Sequence, residues 1–146
     1  WMLLSKALTM AMNHDEKLYY KLVNTENEEV DKRINNDLNR TIMVSDNQKT
    51  TDKITSKKQK LFNILKAYAI YDNQVAYCQG TNYIVALLLG SINSERACFW
   101  TFVQIMNDKN WRDLFIDDTP KLIRFLQVLE NTIKKCSNYG IIAFFR

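Results

Sequence analysis

The chain has 146 residues, of which 47% are hydrophobic and 25% charged, so it is long enough for one domain with a sizeable core and too short to suggest two. Its net charge of +4 comes from basic and acidic residues that are intermixed, and no basic block with interleaved aromatic residues points to nucleic acid. One proline and three glycines leave long windows without helix breakers, which favours an all-α helical bundle over a sheet-rich fold.

Two short helices are predicted at the start of the chain. Leucines and alanines recur at helical spacing from Leu3 to Ala11. After the polar break Asn13-His14-Asp15, the same spacing continues through Leu18, Tyr19 and Leu22. The polar break therefore separates two elements.

A longer helix is predicted next. The segment Thr25-Glu26-Asn27-Glu28 has the form of a capping box, and acidic residues suit the positive end of a helix dipole. The helix is expected to run from about Glu26 to Asn39. Asp37 and Arg40 lie one turn apart on one face, so Asp37 is expected to pair with Arg40 and orient it.

A polar tract follows between Val44 and Lys60. It is too poor in apolar groups to offset the entropy of ordering it, so a flexible polar loop is predicted over about residues 44–58. Ser56-Lys57-Lys58-Gln59 offers a second capping box. Apolar residues at helical spacing then predict a buried, amphipathic helix from Leu61 to Tyr71.

The next helix carries the most continuous apolar sequence. A turn at Asp72-Asn73-Gln74 leads to the segment Tyr77-Cys78-Gln79-Gly80-Thr81-Asn82. A helix is predicted after it, from Tyr83 to Ile92. Because this helix has no polar face, it is expected to lie in the middle of the bundle.

Two further helices complete the pattern. One is predicted from Glu95 to Met106 with Ser94 as its N-cap, and the pair Phe99-Trp100 is expected to lie in the core. The other begins at Thr119-Pro120, because threonine caps helices and proline suits the first helical position. Its apolar stripe extends towards Lys135.

Several kinds of site have no signature in this sequence. The glycines do not precede a Lys-Ser/Thr pair, so no phosphate-cradling loop can be placed. Cys78, Cys98 and Cys136 are too far apart for a zinc site and odd in number, which favours reduced thiols in a cytoplasmic protein. No apolar run approaches the ~20 residues of a membrane span. We therefore expect no metal, no cofactor of the protein's own and no direct membrane insertion.

Arg40 and Gln79 stand out because two separate elements supply them. Arginine and glutamine are the side chains that GTP hydrolysis needs and that a slow GTPase can lack or misplace. Each residue also has an ordinary structural explanation. Arg40 suits the end of a helix beside Asp37, Gln79 and Gly80 suit a turn, and Asn82 suits a helix cap. Their order and spacing, rather than any single residue, suggest a protein that acts on another protein's nucleotide.

Four ordered segments strengthen this hypothesis. They are Ile34-x-x-Asp37-x-x-Arg40-Thr41, Leu65-x-Ala67-Tyr68-Ala69-x-Tyr71, Tyr77-Cys78-Gln79-Gly80-x-Asn82, and Leu87-Leu88-Leu89 followed by Glu95 and Phe99-Trp100. Together these segments resemble the TBC-domain family, whose members accelerate GTP hydrolysis by Rab-type small GTPases.

The resemblance implies a dual-finger mechanism in trans on a GTP-bound Rab. Arg40 would stabilise the transition state, and Gln79 would orient the attacking water. Asp37 would hold Arg40. Tyr77, which precedes the glutamine, and Gly80 and Asn82, which follow it, would support it. GTP and magnesium would belong to the partner, and the protein would be cytoplasmic, peripheral to endomembranes through that Rab.

The match to the family pattern has limits in detail and in extent. Ala76 and Thr81 stand where the family usually has glycine and methionine, and Ala76 restricts a backbone angle that glycine adopts freely. The resemblance implies that residues 1–146 form a partial TBC domain, with the N-terminal lobe and the start of the second. Two alternatives stay open: a non-catalytic module that binds a Rab or another trafficking protein, and a helical scaffold with no link to GTPases.

Overall fold

Six α-helices and a short 3₁₀ turn make up the described part of the chain. The computed structural model describes residues 9, 16–45, 51–108, 111–116 and 120–138. The helices are α1 (Glu16–Asn24), α2 (Glu28–Ser45), α3 (Thr51–Tyr71), α4 (Thr81–Ser91), α5 (Glu95–Asp108) and α6 (Pro120–Asn138), and the 3₁₀ turn is Arg112–Leu114. No strand occurs within these ranges, and the all-α prediction is confirmed. The helix predicted from Leu3 to Ala11 lies, apart from Thr9, outside the described residues.

The centre of the bundle is α3, which packs against α1, α2, α4 and α5. Its second half is largely buried, as predicted for the segment from Leu61 to Tyr71. The buried residues are Leu61, Ile64, Leu65, Lys66, Ala67, Tyr68 and Ala69. The charge of Lys66 is compensated, because its Nζ lies 2.9 Å from Oδ2 of Asp31 on α2.

The second deep helix is α5, which contributes an aromatic cluster to the core. The ring of Phe99 lies 5.1 Å from that of Tyr19 and 4.9 Å from that of Trp100, measured between centroids. Tyr68 of α3 meets Phe102 edge-on at 4.6 Å. Such tilted and edge-on contacts stabilise beyond the area they bury. The prediction that Phe99-Trp100 lies in the core is confirmed.

The position predicted for α4 is wrong. Its buried residues are Thr81, Asn82, Val85 and Leu88. Tyr83 and Leu87, by contrast, are 49% and 69% exposed. A helix without a polar face can pack against its neighbours through any of its apolar surfaces, so the sequence does not decide which surface is buried. The centre of the bundle is occupied by α3 instead.

Two predicted helix starts have different outcomes. Asn27 caps α2, because its Oδ1 accepts a hydrogen bond from the amide of Val30 at 3.1 Å. The capping box predicted at Thr25 is therefore wrong, and the Thr25 hydroxyl donates to the carbonyl of Lys21 at 2.9 Å. The predicted N-cap of α5 is confirmed, since Oγ of Ser94 accepts from a first-turn amide at 3.3 Å.

The loop predicted over about residues 44–58 is wrong for most of its length. α2 and α3 leave only residues 46–50 between them, and these lie outside the described residues. Nζ of Lys58 donates to Oδ1 of Asn39 at 2.7 Å, so the polar start of α3 contacts α2. Ser56 accordingly lies inside α3 and does not cap it. Most helical stability comes from tertiary contacts, which composition does not reveal.

The last helix, α6, has an exposed apolar face. It begins at Pro120, as predicted, and contacts the 3₁₀ turn. The residues of the exposed face are Leu122, Ile123, Phe125, Leu126, Val128, Leu129 and Ile133. Among the helices described, none combines the length and the apolar character needed to cross a bilayer.

Candidate functional site

The carboxylate of Asp37 joins α2 to the segment that precedes α4. Its Oδ1 accepts a hydrogen bond from Nη2 of Arg40, and its Oδ2 accepts one from the hydroxyl of Tyr77 at 2.9 Å. Asp37 and Arg40 pair locally because residues three apart are neighbours on a helix. Tyr77 arrives from a distant part of the sequence. The predicted pairing of Asp37 with Arg40 is confirmed.

The Arg40 side chain is held at one end and otherwise open to solvent. It is 65% exposed, whereas the Asp37 side chain is 10% exposed. A guanidinium carries five N–H donors on a planar, permanently charged group, and Asp37 engages one of its nitrogens. The remaining donors suit a phosphate oxygen of a bound partner.

The hydroxyl of Tyr77 is a persistent donor to Asp37. Burial, reinforced by the hydrogen bond and the negative charge of Asp37, raises the pKa of Tyr77 well above its usual value. The phenol therefore stays protonated throughout the physiological range. This bond fixes the chain two residues before Gln79.

A second connection fixes the chain on the other side of Gln79. Nδ2 of Asn82 donates to Oγ1 of Thr41, and both residues are buried. Oδ1 of Asn82 accepts from the amide of Gly80 at 2.9 Å, while the Thr41 hydroxyl donates to the Asp37 carbonyl at 2.8 Å. Asn82 thus satisfies its own turn and anchors that turn to α2.

Two residues with positive φ bend the chain around Gln79. Gly80, at the N-terminus of α4, has a φ of 105°, a conformation that residues with a Cβ rarely adopt. Ala76 has a φ of 49°, in the left-handed region. The family resemblance predicts glycine at position 76, and the left-handed angle explains that preference.

The segments that carry Arg40 and Gln79 are joined by side-chain hydrogen bonds on both sides of Gln79. Tyr77 and Asn82 bracket Gln79, and their partners Asp37 and Thr41 bracket Arg40. Both Arg40 and Gln79 are exposed. The guanidinium of Arg40 and the carboxamide of Gln79 therefore lie on two segments that are tied together, and both residues are accessible to solvent. We refer to these residues, Asp37, Arg40, Thr41, Tyr77, Gln79, Gly80 and Asn82, as the Arg40–Gln79 site.

Sequence reasoning missed two contributors to this region. Thr41 stands beside Arg40 in the sequence pattern, but its role depends on Asn82, which only the fold brings near. Arg112 of the 3₁₀ turn binds Asp72 through two nitrogens, at 2.6 and 2.9 Å. No spacing or motif in the sequence signals that contact.

These features define a class: an all-α protein in which an exposed arginine and an exposed glutamine lie on two segments joined by buried hydrogen bonds. The family model described as Rab-GTPase-TBC domain matches residues 1–138. The chain therefore belongs to the Rab-GTPase-TBC domain family.

Curated relatives agree with this assignment. The chain is 35% identical to the human ecotropic viral integration site 5 protein homolog over 79% of its length, and 29% identical to GTPase-activating protein GYP5 of Eremothecium gossypii over 97%. It is 42% identical to Rab GTPase-activating protein tbc-11 of Caenorhabditis elegans over 49%. The aligned parts make up 13%, 16% and 8% of these three proteins, so the chain spans a small share of each.

Proposed function

We propose that this chain belongs to a GTPase-activating protein that accelerates GTP hydrolysis by a Rab-type small GTPase in its GTP-bound form. Two of the similar proteins are named as GTPase-activating proteins, GYP5 of Eremothecium gossypii and tbc-11 of Caenorhabditis elegans, and the name of the second specifies Rab. The observation that supports the proposal most directly is that two buried hydrogen bonds join the segments that carry Arg40 and Gln79, while both residues are exposed.

In the proposed mechanism, Arg40 enters the GTPase site beside the γ-phosphate. The transition state of phosphoryl transfer spreads negative charge over the phosphoryl oxygens, and a supplied arginine that neutralises it accelerates hydrolysis by about 10³–10⁵. Asp37 limits the rotation of Arg40 before the partner arrives, because it holds one guanidinium nitrogen. Lysine would supply charge but not the planar set of donors.

Gln79 would orient the water that attacks the γ-phosphate. A carboxamide suits this task because it both accepts a hydrogen bond from water and donates one to a phosphate oxygen. Tyr77, Gly80 and Asn82 support this role by fixing the chain on both sides of Gln79. GTP and Mg²⁺ belong to the Rab, and the proposal assigns no cofactor to this chain.

The test is phosphate release from a panel of GTP-loaded Rabs, measured with the full-length protein and with two variants. Arg40→Ala and Gln79→Ala are each expected to remove most of the acceleration. Arg124→Ala and Gln127→Ala are matched controls, because both residues are exposed on α6, and they should retain the wild-type rate.

The outcomes separate catalysis from the two alternatives. Binding of GTP-loaded Rab without acceleration would indicate a non-catalytic Rab-binding module. Absence of nucleotide-dependent binding across the panel would indicate a helical scaffold. Acceleration that survives both finger substitutions would refute the mechanism while leaving the activity intact.

A further inference from the structure

The segment 111–116 contacts the chain on both sides of Gln79. On the N-terminal side of Gln79, Nε of Arg112 lies 2.6 Å from Oδ2 of Asp72, and Nη2 of Arg112 lies 2.9 Å from Oδ1 of Asp72. Nη2 also donates to Oε1 of Gln74. Two parallel bonds between a guanidinium and a carboxylate fix relative orientation as well as distance.

Asp72 is the residue on which the turn after α3 is built. Its carbonyl accepts from the amide of Ala76 at 2.8 Å, and its Oδ1 accepts from the amide of Val75 at 3.4 Å. The hydroxyl of Tyr68 donates to its Oδ2 at 3.2 Å. The Asp72 side chain thus sets the path of the chain into Ala76 and Tyr77. Arg112 holds that side chain from outside the turn.

On the C-terminal side of Gln79, Phe115, which follows the 3₁₀ turn, lies beside Gly80. The Cε1 atom of Phe115 lies 3.9 Å from the position that a Cβ on Gly80 would occupy, which is ordinary van der Waals distance. Phe115 is half-buried and packs against the core. The same short segment therefore binds the chain before Gln79 through Arg112 and places the Phe115 ring beside Gly80, the residue after Gln79.

The electrostatics of the Arg112–Asp72 pair agree with a lasting contact. Partial burial by itself raises the pKa of the Asp72 carboxyl, but the hydrogen bonds and charge of Arg112 outweigh it and hold the pKa below its usual value. Asp72 is then ionised at neutral pH. The ionised carboxylate supplies the negative charge on which the fork with Arg112 depends.

We propose that Arg112 is a positioning residue for Gln79, acting through Asp72 and Gln74 to fix the turn that carries the glutamine. This inference rests on the proposed function, because it assigns the loop a catalytic geometry to maintain. Arg112 itself need not touch the GTPase. Its effect is on where the carboxamide of Gln79 lies when the partner binds.

The test is a double-mutant cycle in the full-length protein, with Arg112→Ala and Gln79→Ala alone and combined. Single-turnover hydrolysis by a responsive Rab is measured over a range of concentrations of the activating protein. Arg112→Ala is expected to lower the maximal rate by about 10–100-fold, the scale of a misplacement of ~1 Å, with little change in half-saturating concentration. In the Gln79→Ala background, which retains the contribution of Arg40, it should lower the rate by less than about 2-fold.

Two further variants separate positioning from loss of fold. Arg112→Lys keeps the charge and preserves the fold, but it cannot form the two-nitrogen fork, so it should fall between the wild-type protein and Arg112→Ala. Arg124→Ala, an exposed arginine on α6, is the matched control and should retain the wild-type rate. Circular dichroism of each variant monitors folding.

The possible failures are distinguishable. Equal losses from Arg112→Ala in both backgrounds would refute the positioning role while leaving the proposed function standing, and so would a wild-type rate for Arg112→Ala and Arg112→Lys. A Gln79→Ala protein with the full rate would refute the role of Gln79 and this inference together while leaving the activity standing, whereas no acceleration of any Rab by the wild-type protein would refute the proposed function.

Discussion

Replacing Tyr77 with phenylalanine removes the hydroxyl that connects the Gln79 loop to Asp37 and leaves the aromatic ring in place. Tyr77 is 3% exposed and Asp37 is 7% exposed, so water has little access to replace the lost donor. A hydrogen bond to a charged group contributes about 1.5–3 kcal/mol. Because the carboxylate stays buried after the substitution, we expect a loss in the upper half of that range, ~2–3 kcal/mol.

The assay is equilibrium urea unfolding of the wild-type protein and the Tyr77→Phe variant at neutral pH. With a slope of about 2 kcal/mol per molar urea, the expected loss lowers the midpoint by roughly 1–1.5 M. Tyr83→Phe is the matched control, because Tyr83 is 49% exposed on the neighbouring helix, and it should leave the midpoint nearly unchanged.

Under the proposed function, the variant should also accelerate GTP hydrolysis by a Rab less than the wild-type protein does, since the loop that carries Gln79 loses one of its two connections to α2. A Tyr77→Phe midpoint within error of the Tyr83→Phe midpoint would show that the Tyr77–Asp37 bond contributes nothing net. The account of how the loop is held would then be wrong.

Three other substitutions, with Gly90→Ala as a control, test the backbone and the charges around the same loop. Gly80→Ala should destabilise the fold by about 1–3 kcal/mol, because Gly80 has a φ of 105°. Gly90→Ala should stabilise the fold by ~0.5–1 kcal/mol, because Gly90 lies within α4 and has open space around it. Urea midpoints of the two variants that move in the same direction would contradict this. Ala76→Gly relieves a left-handed alanine that costs about 1–2 kcal/mol, offset by ~0.4–1 kcal/mol of unfolded-state entropy, so the midpoint should rise slightly. Asp72 has a lowered pKa, so its stabilising contribution is complete above the unfolded value of about 3.9 and is lost as the pH falls through the lower folded value. The Asp72→Asn variant should therefore be less stable than the wild-type protein at neutral pH, and it should lose less stability when the pH is lowered. If urea unfolding at a series of pH values shows the same loss of stability at acidic pH for both proteins, this contribution of Asp72 is excluded.

Local pattern was sufficient for some elements and misleading for others. Ser94 and Pro120 were placed correctly at their helix starts because capping and the geometry of proline act within a few residues. The polar start of α3 was predicted as loop because its composition is that of a loop, yet the contact of Lys58 with Asn39 helps to order it against α2. The apolar α4 was predicted at the centre, which α3 occupies.

The candidate site divides in the same way. The pairing of Asp37 with Arg40 follows from helical spacing, so it could be derived from sequence. The catalytic roles of Arg40 and Gln79 stay predictions drawn from motif order. The contacts of Thr41 with Asn82 and of Arg112 with Asp72 join distant parts of the chain, and no local pattern announces them.

By itself, the sequence determined the helical class and the family, because residue type and spacing along one helix or turn suffice for these. The tertiary structure decided that the segments carrying Arg40 and Gln79 are joined through Tyr77–Asp37 and Asn82–Thr41, and that Arg112 binds the turn at Asp72. The physical reason is that a hydrogen bond between side chains depends on distances of about 3 Å in space. For residues on different helices, separation along the chain does not determine this distance, which is set by how the helices pack.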